Sequence, residues 1–406
     1  MVYVLLQILL LGLFVVVGPG LQEYFELPKV LFFFLVLPIM AYATLLNEEK
    51  SIPRNKKLNS LGLRTLRSSL SQIWTKPQGV LLLFILWAGV SSYLGGKEYS
   101  LWGQPLRYQG IVFFLYGLLC TEVVKRISWQ PKYLNALKRS VSIGAAVNVF
   151  VLLVQFILFN NGVPVIQFYG RMTGLIGNPN FAGGALALSF PYLFFQLKQK
   201  PVLLLIALIL WSLALYTTDS RGAVAAYAVV VLLLVGRFFK RKYTLMLLGT
   251  VAVALLLFFP KRIPSVFDSR PIIWQKAVQA AQEKPLFGWG LENFTTAFQS
   301  TLLPEGDFDL HQLRVDKAHN EFLEMLVTTG MVGCLVYTTV FLRSLYIFWH
   351  RRSDDFAYLQ FVVLIAFGML AQVNVLNITE YIFFFIAIGL AQATQEVAKA
   401  RGSTVE

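Results

Sequence analysis

The chain has 406 residues, of which 57% are apolar and 14% charged, with a formal net charge of +14. A water-soluble chain carries about a quarter charged residues, so this little charge excludes a soluble globule of this size, and a mean hydropathy of +0.64 agrees. The basic excess is scattered through short loops rather than spread along a face with interleaved aromatics. That argues against nucleic acid and for a topology signal and attraction to anionic lipid.

In lipid the backbone must satisfy its own hydrogen bonds, as helices or as a closed barrel. Barrel strands alternate in polarity, whereas the runs Val80–Val90, Val202–Leu215 and Val251–Phe259 do not. The fold class expected is therefore all-α, a polytopic membrane protein forming one integral-membrane domain over residues 1–406. Apolar runs of spanning length predict about twelve transmembrane helices near 2–19, 28–46, 78–95, 108–124, 139–159, 180–196, 201–217, 222–238, 243–259, 319–346, 356–373 and 377–396. Met1–Val17 lacks a basic leader and a small-residue cleavage site, so it reads as the first span rather than a signal peptide. Cys120 and Cys334 both fall inside apolar runs and give no sign of a disulfide or metal cluster.

Lysine and arginine placement sets the orientation. With both termini cytoplasmic, alternate loops and the C-terminal tail hold 23 of the 35 basic residues. Much of the remainder lies in one long loop, 260–318, on the opposite, extracytoplasmic side. In that loop Asp268 or Ser269 is placed to cap a helix with Pro271 in its first turn and Ile273, Ala277, Val278 and Ala281 on one apolar face. A second short helix is expected near Asn293–Leu302. The loop reads as an ordered cap, and long ordered loops tend to carry function.

Few basic residues remain in the short outer loops. Arg171 lies in Tyr169-Gly-Arg-Met-Thr-Gly-Leu-Ile-Gly-Asn-Pro-Asn180, and Arg221 in the tight turn Thr218-Asp-Ser-Arg-Gly222. Arg270 begins the cap helix, and His319 lies in Asp316-Lys-Ala-His-Asn-Glu321. Taken singly, each also fits a headgroup-snorkelling or interfacial residue. Together on one face, against the positive-inside bias, they point to an anion site. Guanidinium groups grip phosphate oxygens bidentately, and helix N-termini at Arg270 and His319 add positive potential. Such a field suits a pyrophosphate, as donor and as leaving group.

His319 fits a general base, kept neutral by the surrounding cations. Asp219, Glu321 and Glu324 are placed to orient that base or balance an arginine, and spacing does not choose among them. Asn178 and Asn180 read as a helix-start turn, with binding of sugar hydroxyls as the sharper alternative. Phe287 and Trp289 read as anchors of the cap to the membrane, or as a stacking surface for a sugar ring. Asp307, Asp309, His311 and Asp316 include metal-capable groups without compact ligand spacing, so no metal is expected.

These segments resemble the O-antigen ligase and O-antigen polymerase superfamily of bacterial envelopes. The likeness rests on Arg171 through Asn180, Asp219-Ser-Arg-Gly222, Arg270 with Trp274 followed by Pro285-Leu-Phe-Gly-Trp-Gly290, and Ala318-His-Asn-Glu321 followed by Gly330-Met-Val-Gly333. It covers about residues 165–345; the spans within 1–160 carry no recognised motif. The resemblance implies a GT-C-like glycosyltransferase in the bacterial plasma membrane. It would take an undecaprenyl-diphosphate-linked glycan and transfer it, with inversion and without metal or other cofactor, to an acceptor hydroxyl. It further implies that Arg221 and Arg270 hold the diphosphate, that His319 is the base, and that Arg171 contacts phosphate or glycan. Asn320 belongs to the same motif as His319.

The acceptor stays open: lipid A-core, a second lipid-linked repeat, or a protein Ser or Thr. Protein-glycosylating relatives often carry a large soluble C-terminal region, and the short tail after the twelfth span favours ligase or polymerase. A transporter or flippase of lipid-linked sugars is the competing class. It would place charge at mid-membrane depth, where Glu380 and Asn374 are the borderline residues. Membrane lipids are expected partners; oligomeric state is not readable from the sequence.

Overall fold

The computed structural model describes residues 2–18, 25–51, 76–105, 107–127, 131–239, 270–302 and 315–400. The expected span at 243–259, the cap residues Asp268 and Ser269, and Asp307, Asp309 and His311 lie outside these described residues.

Thirteen helices and one short strand pair are described. The first helices are α1 (Val2–Val15), α2 (Glu26–Ser51), α3 (Pro77–Gly95), α4 (Ile111–Arg126) and α5 (Pro131–Asn160). The hairpin of β1 (Gln167–Phe168) and β2 (Arg171–Met172) is antiparallel, with Phe168 opposite Arg171. Then come α6 (Pro179–Leu197), α7 (Pro201–Thr218), α8 (Arg221–Phe238), α9 (Arg270–Glu283) and α10 (Phe294–Ser300). The last three are α11 (Glu321–His350), α12 (Asp355–Val373) and α13 (Ile378–Ala400). Seven of these helices are long and apolar enough to cross a membrane, and the apolar stretches Val2–Val15 and Ile378–Ala393 are shorter. The protein is a multi-pass, helical membrane protein.

Amphipathicity sorts the helices by depth in the bundle. From Ile378 to Ala393 every residue of α13 is buried, so this helix runs through the centre. On α7, Val202, Leu205, Ile209 and Leu213 are exposed, which places that helix at the rim with side chains turned towards lipid.

One end of the bundle gathers the N-termini of α4, α6, α8, α11 and α13. Local chemistry fixes these starts. The Asn178 side chain accepts from Asn180 N at 2.9 Å, with Pro179 as the first helical residue of α6. Asn320 caps α11 by accepting from Leu323 N at 3.0 Å. Asn377 and Glu380 cap α13 reciprocally: Asn377 N donates to Glu380 Oε2 at 2.8 Å and Glu380 N donates to Asn377 Oδ1 at 2.9 Å. At the opposite end, Lys198 and Arg237 both pair with Asp355.

The cap builds a small core of its own. Ile273, Ala277, Ala280 and Ala281 of α9 pack with Phe294, Ala297 and Phe298 of α10, and with Ala318 and Val327 at the head of α11. The expected apolar face of α9 needs one correction: Val278 is 46% exposed and Ala280 takes its place, because a residue one position off the 3.6-residue stripe turns away from the core. The segment Pro285–Gly290 then ties the cap to the bundle. Trp289 N donates to Val327 O at 3.0 Å and Met331 N donates to Pro285 O at 2.8 Å. These bonds need a gap in α11, which Gly330 supplies with φ +69; a Cβ there would lie 2.2 Å from Leu286 O.

Candidate functional site

The site is built from loops at the end where those five helix N-termini converge. The turn between α7 and α8 is only two residues long. Asp219 adopts the left-handed conformation (φ +47) that ends α7, and Ser220 precedes Arg221, which opens α8 with an exposed side chain. Arg171, at the start of β2, reaches this turn. Its Nε donates to Thr218 O at 2.9 Å and its terminal nitrogen donates to Asn180 Oδ1 at 2.7 Å. Burial makes the charged state of Arg171 less favourable; Asp219 offsets this, while Arg270 and Arg221 add to it. The three sequence-predicted arginines thus share one electrostatic neighbourhood.

His319 belongs to a tightly fastened loop. Trp274 Nε1 donates to Ala318 O at 2.9 Å, and Ala318 N donates to Glu324 Oε2 at 2.8 Å. Because Trp274 stands one turn beyond Arg270 on α9, this bond brings the Arg270 end of the cap against the His319 loop. Lys317 pairs with buried Glu292 and lies 3.5 Å from Glu324. His319 itself takes φ +53, a conformation a non-glycine residue keeps only where its surroundings hold it.

Two bridges join the His319 loop to the arginine turn. Asn320 Nδ2 donates to Gln372 Oε1 at 3.4 Å at the end of α12, and two residues on, Asn374 packs against Gly222. On the other side Asp316 accepts from Arg107 Nε at 2.7 Å, and the Arg107 guanidinium sits 5.5 Å from the Phe181 ring, beside Asn180. Arg171, Arg221, Arg270 and His319 are therefore brought together.

The supporting residues fall out differently. Asn180 holds Arg171, and Asn178 is a helix cap. Glu321 accepts from the Tyr381 hydroxyl and Glu324 from Ala318 N, so both carboxylates are committed to the loop's scaffold. Trp289 lies inside the cap, donating to Ala280 O at 2.9 Å beneath the Lys284 ammonium. Phe287 stacks on Trp87 at 5.3 Å, so these two aromatics join cap to bundle. Asp316, singled out in the sequence only as metal-capable, is an ion-pair partner.

Arg107 was missed. Its signal was available, since it is one of the few cations in a short loop on the same side as Arg171 and Arg221. Ser220 Oγ and Asn374 Nδ2, both buried beside Gly222, have no hydrogen-bond partner among the described residues.

Fold and site together define a multi-pass membrane protein with a guanidinium-rich site at one end of its bundle. Residues 205–338 match the model of the O-antigen ligase family, which supports the O-antigen ligase and polymerase superfamily for this chain, as the motifs indicated. The matched stretch contains Asp219, Arg221, Arg270 and His319; Arg107 and Arg171 lie outside it. No curated protein matches the chain.

Proposed function

We propose that this protein transfers a glycan from an undecaprenyl-diphosphate-linked donor to an acceptor hydroxyl at the outer face of the plasma membrane. The observation that carries the reading is the convergence of Arg171, Arg221 and Arg270 with His319 at a set of helix N-termini. The diphosphate lies against Arg221 and Arg270, where bidentate guanidinium bonds and helix dipoles stabilise its charge. Arg171, anchored by Thr218 O and Asn180, contacts phosphate or the first sugar. Ser220 Oγ and Asn374 Nδ2, without a hydrogen-bond partner among the described residues, suit a phosphate oxygen or sugar hydroxyl.

In the reaction the acceptor oxygen forms a bond to the anomeric carbon, and the bond from that carbon to the diphosphate oxygen breaks. The acceptor proton passes to His319, and the electron pair leaves on the polyprenyl diphosphate. A single displacement inverts the anomeric centre. The arginines supply the leaving-group stabilisation that a divalent cation gives in other glycosyl transfers, so the chemistry needs no metal.

The reading favours an O-antigen ligase; a repeat polymerase or a protein O-oligosaccharyltransferase differs only in acceptor. Against a flippase stands Glu380, which closes the cap of α13 at the site end instead of lining a mid-membrane path. Purified protein in vesicles, given the lipid-linked glycan with lipid A-core, a second lipid-linked repeat or a Ser/Thr peptide, is expected to yield a new glycosidic product by mass spectrometry. Movement of labelled donor across the bilayer without any such product would reverse the assignment.

A further inference from the structure

The contacts at the site close into a circuit. Arg171 bonds Thr218 of the arginine turn, and Gly222 of that turn packs on Asn374 at the end of α12. Gln372, at the same end, accepts from Asn320 of the His319 loop, and Asp316 of that loop accepts from Arg107. Arg107 lies 5.5 Å from the Phe181 ring, next to Asn180, which leads back to Arg171. Arg171 and Arg221 occupy one arc of this circuit, with Arg270 acting on Arg171 from the cap. His319 and Arg107 occupy the other arc. In an inverting displacement the acceptor enters on the face opposite the leaving group, beside the base that takes its proton. Arg107 and Asp316 therefore stand on the acceptor's side.

Their pairing leaves hydrogen-bonding capacity open. Arg107 Nε meets Asp316 Oδ2 at 2.7 Å, with the side chains 18% and 31% exposed. The two terminal nitrogens of Arg107 and Oδ1 of Asp316 make no hydrogen bond among the described residues. The neighbouring pair of Lys317 and Glu292 is sealed by contrast, 5% and 1% exposed. The α3–α4 loop that carries Arg107 is pinned at three points. Ser100 Oγ donates to Leu291 O at 2.8 Å, Gln104 Nε2 to Glu292 O at 2.9 Å and Gln109 Nε2 to Leu376 O at 2.7 Å. A surface held this rigidly loses little entropy when it is occupied. Asp316 cancels the charge of Arg107, and Glu26 and Glu292 add negative potential, so the pair does not suit a phosphate as the other arginines do. It presents donors and an acceptor side by side. Two neighbouring sugar hydroxyls match that pattern, one accepting from the guanidinium and the other donating to the carboxylate.

We propose that Arg107 and Asp316 form the acceptor's sugar subsite, binding two neighbouring hydroxyls of the acceptor glycan, so that the acceptor is a sugar rather than a protein Ser or Thr. The assignment rests on the transferase reading and names its acceptor class. Lipid A-core and a second lipid-linked repeat both offer such hydroxyls.

The test is equilibrium binding to the full chain in nanodiscs, with the donor site filled by unlabelled undecaprenyl diphosphate. The labelled probes are lipid A-core, a lipid-linked repeat and a Ser/Thr peptide. One of the two glycolipids is expected to bind, which tells ligase from polymerase. Arg107→Ala and Asp316→Asn should each weaken it about tenfold or more, while undecaprenyl diphosphate itself binds as to the parent. Asp316→Asn is the discriminating variant, since its amide oxygen still accepts from Arg107 Nε but an N–H₂ donor replaces Oδ1. A pair that only fastened the two loops would leave glycolipid affinity near parental in this variant, and that result overturns the proposal. Equal losses for glycolipid and undecaprenyl diphosphate, or binding of the peptide alone, overturn it as well. Should the variants fail to fold, the parent decides. Glycolipid whose neighbouring hydroxyls have been cleaved by periodate is expected to bind about tenfold more weakly, and unchanged affinity sinks the subsite. Pair-dependent glycolipid binding by a protein that forms no glycosidic product would remove the transferase reading and leave the sugar subsite. Transfer to a glycolipid that ignores both substitutions would remove the subsite alone.

Discussion

Arg221 and Arg171 show how differently two like residues are used. Arg171 is fastened by a backbone carbonyl and by Asn180, whereas Arg221 projects from the first turn of α8. Truncating an exposed helix-start side chain costs about 0.5 kcal/mol or less of stability. The Arg221→Ala protein should therefore insert and unfold like the parent yet lose transfer by about 100-fold or more. Arg221→Lys should not restore it, since an ammonium lacks the bidentate fork. Initial rates alongside thermal unfolding separate the two effects, and near-parental turnover in Arg221→Ala would remove it from the diphosphate site.

Asp316 supplies a pH dependence whose sign is fixed. Its folded pKa is depressed, so its contribution to stability is present above the ordinary carboxylate range and lost as pH falls through the folded value. Thermal unfolding of the parent and of Asp316→Asn should differ at pH 7 and converge in acid. A gap that did not narrow at all on acidification would place the difference elsewhere. Arg171 and Arg221 could be picked out in the sequence because a cation in a short outer loop violates the positive-inside bias. Arg107 met the same criterion but stood outside every recognised motif, and only its contact with Asp316 marks it.

At the scale of elements, the cap is held by two devices that local pattern does not expose. The first is the insertion of Pro285–Gly290 into the break of α11. Gly330→Ala forces a methyl against Leu286 O and an L-residue into φ +69, and is expected to destabilise by about 2 kcal/mol or more. The second is Lys317, buried with Glu292 and Glu324. Lys317→Met leaves two carboxylates without their cation and should cost about 3–5 kcal/mol, read as a lowered unfolding temperature in detergent. An unchanged midpoint would mean those carboxylates are protonated and need no partner. The paired short helices were legible from caps and periodicity; the broken helix was not, because a glycine such as Gly330 within a long helical run is equally compatible with an unbroken helix.

For the whole molecule, alternation of the helices puts the hairpin tip at the site end and the Arg351–Asp354 turn at the other. In a background lacking Cys120 and Cys334, Tyr169→Cys, at a position 89% exposed, should react with an impermeant thiol reagent from outside intact cells. Ser353→Cys should react only after permeabilisation. The reverse pattern would invert the topology and remove the site from the outer face.

Composition and run length by themselves determined the membrane environment, the helical class and most helix positions, because lipid imposes length and apolarity on each span separately. They also picked out Arg171, Arg221, Arg270 and His319, since charge is costly there and conspicuous. What only the tertiary structure decided is which groups meet them. Arg107 reaching Asp316, Lys317 between Glu292 and Glu324, and Asn320 joined to α12 are contacts between segments far apart in the chain. Such pairings are set by how helices pack, a property of the assembled bundle that no single segment encodes.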